Sequence, residues 1–145
     1  MNDVFEPELN GEGEGTTFLD LGNLEEVPEL TTLPDGSEAE LVISTIEVRV
    51  SKNTGGKFIY VIFDIVGEPN TKSITHVMML PTDKDDDKRK NQRLRAIRHF
   101  YEAFGIPTSG SVDLSSFVGN TGWAILREEA DEEYGTQNRI RRFIV

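Results

Sequence analysis

The sequence predicts a mainly β fold: five strands, with one helix between the third and the fourth. Three observations lead there. Runs rich in Val, Ile, Thr, Phe and Tyr recur along the chain, separated by short segments of Gly, Asn, Pro and Asp. Only one stretch, between Asp87 and Gly105, carries apolar residues at helical spacing. The chain of 145 residues has no cysteine, so a single domain must rest on its apolar core without disulfides or thiolate metal sites.

The first two strands form the most legible element. Ser37 to Gly67 reads as two β-rich runs around Asn53-Thr54-Gly55-Gly56, residues that tolerate positive φ, and predicts a long antiparallel hairpin. In the second run Ile59, Val61, Phe63 and Ile65 share a core face. Phe58, Tyr60, Ile62 and Asp64 share the other, which puts two aromatic rings near Lys57. A turn at Glu68-Pro69-Asn70-Thr71 leads to a third strand, Lys72 to Leu80, stopped by Pro81. Both parities of that strand carry apolar residues, so its facing stays open.

Asp85, Asp86 and Asp87 suit a helix N-terminus, where carboxylates meet free N–H groups and the positive end of the dipole. Leu94, Ile97, Tyr101 and Phe104 form a stripe that Phe100 widens, and Gly105 with Pro107 ends the helix. Asp113 to Phe117 predicts a single helical turn. Trp123 to Arg127 forms the fourth strand, Glu128 to Gly135 an acidic loop, and Gln137 to Val145 the fifth strand.

This order is that of the OB-fold, a five-stranded Greek-key barrel that binds oligonucleotides or oligosaccharides across strands two and three. An open five-stranded sheet with one packed helix has the same content. In an OB-fold the helix closes the barrel end away from the binding face, so Leu94, Ile97 and Phe104 are expected to be structural and the helix's basic residues secondary for binding.

The net charge of −11 hides an asymmetry. Residues 1–40 hold 12 acids and no Lys or Arg; the remainder holds 14 acids and all 15 basic residues, a charge of +1. Residues 1–34 thus predict a largely disordered acidic arm, with NGEGEG at its centre, and residues 35–145 a nearly neutral domain. An acidic average does not exclude a nucleic-acid partner when the charge is so unevenly placed. Phe18-Leu19-Asp20-Leu21 and Val27-Pro28-Glu29-Leu30 are apolar islands in the arm, suited to docking. No run reaches the roughly 18 apolar residues of a membrane span, and the acidic start is unlike a secretion signal. A soluble intracellular protein is expected.

Catalytic constellations are lacking. His76 and His99 have no carboxylate partner in sequence. Asp83, Asp85 and Asp87 alternate like a calcium loop, but Lys88 stands where that loop needs Gly and Leu94 where it needs Glu. Gly11, Gly13 and Gly15 have neither the preceding strand nor the following Gly-Lys of a phosphate loop. No enzyme, metal or cofactor is expected.

The binding signal is stronger. Phe58 and Tyr60 lie on the outward parity of strand two; Arg49, Lys52 and Lys57 flank the first loop; Lys72 and His76 lie on strand three; Trp123 shares its parity with Arg127; and Arg139, Arg141 and Phe143 alternate with Ile140 and Ile144. Rings interleaved with cations suit sequence-independent binding of single strands, because bases stack on the rings and cations follow the phosphates. The competing expectation makes Trp123 and Phe143 core residues.

Residues Leu33 to Ile144 also resemble a phage family, long labelled a domain of unknown function and now described as OB-fold single-stranded-DNA-binding proteins. The segments TGGKFIYVIFDI, AFGIP at 103–107, VGNTGWAIL and GTQNRIRRFI carry the resemblance. It implies a protein that coats single-stranded DNA in replication or recombination, in the cytoplasm of an infected host and associated with its nucleoid. Familiar bacterial single-strand binders carry their acidic partner-recruiting tail at the C-terminus, whereas here the acidic arm is N-terminal. The arm is expected to compete with DNA as a weak tethered mimic and, released when a strand binds, to recruit replication or recombination proteins through Phe18, Leu19 and Leu21; the alternative for the arm is a solvated tail that keeps the protein soluble. An acidic DNA mimic or protein-interaction module that inhibits a nucleic-acid enzyme is the alternative.

Overall fold

The computed structural model describes residues 15–145; the NGEGEG stretch lies largely outside them. The five strands are β1 (Glu38–Val50), β2 (Lys57–Ile65), β3 (Ile74–Met79), β4 (Thr121–Asp131) and β5 (Gly135–Phe143), and the helix is α1 (Asp87–Phe104) between β3 and β4. All pairs are antiparallel, and the strands form one sheet in the order β3-β2-β1-β4-β5.

The expected closed barrel is not formed: the sheet is open, with β3 and β5 as its edges. Side chains, not a backbone ladder, span the seam between them. His76 of β3 meets the ring of Phe143 of β5 with centroids 5.4 Å apart. Lys72, just before β3, donates from Nζ to the carbonyls of Tyr134 (3.1 Å) and Thr136 (2.7 Å) at the start of β5. A bulge at Arg141, where Ile125 pairs with Arg142 and Leu126 with Ile140, also bends β5 beside the seam.

The core follows the β2 alternation. Ile59, Val61, Phe63 and Ile65 are buried, with Leu41, Ile43, Ile46, Ala124 and Leu126 beside them. Phe63 stacks on Phe104 at 5.2 Å and meets Phe100 and Phe143 edge-on at 6.0 Å. The bulge decides the fate of Phe143. Strict alternation from Arg139 would turn it outward, but the extra residue at 141 reverses the parity and buries it opposite Ala124. A second bulge at Ser44 of β1, whose hydroxyl donates to the Ile62 carbonyl at 3.0 Å, keeps Ile46 on the core face.

The helix begins as expected: Asp86 is its N-cap, accepting from the Arg89 N–H at 2.8 Å. Gly105 ends it with φ +71°, and the side-chain amide of Asn120 donates to the Phe104 carbonyl at 2.9 Å. The buried stripe is Ile97, Phe100 and Phe104. Leu94, expected in the core, is 48% exposed, because α1 meets the sheet mainly through its C-terminal half. There it crosses β4 so closely that a Cβ on Gly122 would stand 2.5 Å from the Ala103 carbonyl oxygen.

The segment Glu128–Asp131, expected as loop, is strand. Glu129 reaches Arg127 (3.3 Å) and Arg139 (3.8 Å), and the Glu128 N–H donates to the Asp35 carboxylate at 2.8 Å. Residues 15–30 are exposed, with a capped 3₁₀ turn at Leu24–Glu26. The chain joins the body at Thr31, which bridges to Thr71, and at Leu33, whose N–H and C=O are both bonded by the side chain of buried Asn138.

Candidate nucleic-acid interface

The outward face of the sheet follows from its register. Paired residues share a face, so Phe58 stands between Arg49 and Met79, Tyr60 between Glu47 and Val77, and Ile62 between Thr45 and Thr75. Phe58 and Tyr60 are half-buried among these neighbours. The Arg49 guanidinium lies 3.7 Å above the Tyr60 ring centroid, in cation–π contact, and is also paired with Glu47. The result is a platform of two rings with aliphatic flanks and a cation laid across it. Lys52 in the hairpin loop and Lys57 at the start of β2 are exposed at its end, although Lys57 has the parity opposite to Phe58.

The other candidates fall in three places. Trp123 is 49% exposed on the outward face, opposite Glu40, with Ile125 and Arg127 on its own strand. From Glu40 to Glu47 along β1 is seven residues, about 23 Å at ~3.3 Å per residue, so Trp123 is not part of the Phe58–Tyr60 platform. Arg127 and Arg139 are paired with each other across β4 and β5 and share Glu129. Arg141, at the bulge, pairs with Asp35 at 2.9 Å.

Lys72 and His76 are engaged within the fold. Lys72 holds the β4–β5 turn through its two carbonyl contacts. His76 has the inward parity, opposite Val61, and burial lowers its pKa to about 4. Three small cavities meet at this imidazole, and their walls include Arg89, Arg93, Arg127, Arg139, Arg141 and Arg142 with no carboxylate. The facing of β3, ambiguous in sequence, is thereby decided.

Ile62, read outward from the β2 alternation, is joined on the platform by Val77 and Met79, whose face the sequence leaves open because β3 shows apolar residues at both parities and only its pairing with β2 assigns one. The outward face is also more acidic than the positions of its arginines suggest: Glu38, Glu40, Glu47, Asp64 and Glu129 share it. Of the cations in no ion pair among the described residues, Lys88, Arg89, Lys90, Arg95 and Arg98 cluster on α1, while Lys52, Lys57, Lys72, Lys84 and Arg142 lie elsewhere. Only Arg93 of that helix is in an ion pair, with Asp85 at 2.9 Å.

No group of three His, Asp or Glu side chains that could hold a metal occurs among the described residues. None of their helices is long and apolar enough to cross a membrane. A scan against protein-family models finds none that matches this chain, and a search of the curated proteins finds no match.

Proposed function

We propose that the protein binds single-stranded DNA without catalysis, using the outward face of β2 and its neighbours in an OB-like arrangement. The observation that carries this reading is the pair of half-exposed rings, Phe58 and Tyr60, with Arg49 lying on Tyr60. Bases stack on such rings whatever their identity, and Arg49, Lys52 and Lys57 would meet the phosphates. The strand order, with β1 paired to both β2 and β4 and the helix between β3 and β4, supports the OB-like description. The resemblance to phage single-strand binders adds the biological setting: coating of DNA strands during replication or recombination in the cytoplasm of the infected host, in association with its nucleoid. The acidic arm would recruit replication or recombination proteins.

The test is titration of a fluorescent oligonucleotide at low salt. Stacking contributes roughly 1–3 kcal/mol per base, so replacing both Phe58 and Tyr60 by Ala lowers affinity at least about tenfold while the fold survives. A mixed-sequence single strand competes far better than its duplex. Unchanged affinity in the double variant overturns the placement of the site.

One observation favours a second reading, an acidic module that mimics DNA. Arg49, Arg127, Arg139 and Arg141 are all engaged by carboxylates of the same chain. Absence of binding to either single strands or duplex would select it.

A further inference from the structure

The β1–β2 hairpin runs past the core, and its overhang leaves an apolar groove against α1. Ile59 and Leu80 form the floor, Leu94, Ile97 and Tyr101 the helical wall, and Arg95 and Arg98 the rim, around about 510 Å³. Val48, paired with Ile59, and Val50 beyond it extend the apolar surface; both are more than half exposed despite the inward parity. Exposed aliphatic side chains, Leu94 in the helical wall and Val48 and Val50 on the hairpin, mark an interaction surface, not a core margin. The charge is lopsided too: α1 carries six Lys or Arg against Asp87 and Glu102.

The arm presents the complementary chemistry. Phe18, Leu19 and Leu21 are 90%, 80% and 64% exposed, and Asp20 stands between them. Residues 15–30 hold four acids, Asp20, Glu25, Glu26 and Glu29, and no Lys or Arg. An extended acidic segment with three adjacent large apolar side chains matches a groove of this volume with two arginines on its rim.

We propose that Phe18, Leu19 and Leu21 of one copy dock in the β1–β2/α1 groove of a second copy, with Asp20 facing Arg95 and Arg98. The placement of the arm, with Phe18, Leu19 and Leu21 exposed, favours the second copy over the arm's own body. The arm is fastened at Thr31 to Thr71, in the turn between β2 and β3, while the groove lies at the other end of β3, at Leu80. From Lys72 to Leu80 is eight residues, about 25 Å of extended chain. Ten residues from Leu21 to Thr31 span ~30 Å with the Leu24–Glu26 turn in place, long enough to arrive there, yet Phe18, Leu19 and Leu21 stand exposed outside the chain's own groove. A second copy takes the arm as it stands. Reciprocal exchange closes a dimer, and one-way docking propagates a chain of copies. Neither depends on DNA, so the proposal stands apart from the binding reading above.

The test is sedimentation velocity on the full chain, without nucleic acid, from micromolar to sub-millimolar protein. The wild type self-associates with rising concentration. Replacing Phe18, Leu19 and Leu21 together by Ala weakens association at least about tenfold, and so does Leu94→Asp. Mixing these two variants restores part of the association, since one brings an intact groove and the other an intact arm. If circular dichroism shows Leu94→Asp to be unfolded, Arg95→Glu with Arg98→Glu takes its place, and Asp20→Lys then recovers part of the lost association. A wild type that stays monomeric throughout, as it would with the arm in its own groove, overturns the proposal. So does an arm variant that associates like the wild type, or a mixture that fails to associate.

Discussion

The imidazole of His76 gives the protein a specific sensitivity to acid. In the folded chain it is largely buried beside α1 and β5, edge-on to Phe143, and burial lowers its pKa from 6.5 to about 4. Between those two values the unfolded chain binds a proton that the folded chain refuses, so stability falls as the pH falls. The contribution is fully present above pH 6.5 and is lost progressively as the pH drops toward 4. With these two pKa values, linkage gives a loss of about 2 kcal/mol between pH 7 and pH 5. The measurement is urea unfolding of the wild type and of His76→Leu at pH 7, 6 and 5. The Leu side chain keeps the contacts with Val61 and Phe143 but does not titrate. The difference in unfolding free energy between the two proteins should shift by about 2 kcal/mol over that interval, in favour of the variant as the pH drops. Parallel pH dependences for the two proteins would refute the burial argument and place the imidazole in water.

Two further predictions concern the packing. Phe100→Ala should cost about 3–5 kcal/mol of stability, since that ring is fully buried between Phe63, Phe104 and Phe143, whereas Leu94→Ala should cost less than about 1 kcal/mol because much of its side chain is already in water; thermal or urea unfolding of the two variants reads the contrast. Asn138→Leu should strand the N–H and C=O of Leu33 and the Arg127 carbonyl, costing about 1–3 kcal/mol per group left unsatisfied, and amide hydrogen exchange at Leu33 should rise well above that of its neighbours.

Much of this architecture is determined by local sequence. The β2 alternation, the loop of Asn53 to Gly56, the Asp86 cap and the Gly105 stop each act over a few residues, so their chemistry can be read without a partner. The β2 alternation by itself turns Phe58 and Tyr60 to the outward face, and the register puts them there. Other features depend on residues distant in sequence. The bulge at Arg141 reverses the parity that Arg139 predicts and sends Phe143 into the core, because the pairing with β4 absorbs an extra residue that no local pattern shows. The facing of β3, and with it the burial of His76, is set by its ladder with β2. Whether the sheet closes is decided at the seam, where Lys72 and the His76–Phe143 contact occupy the space between the edge strands. The same holds for charge. The sequence shows how many cations the body has, but only the fold pairs Arg49, Arg127, Arg139 and Arg141 with carboxylates and leaves the α1 cations unpaired among the described residues, because ion pairs form between side chains that meet in space and not along the chain.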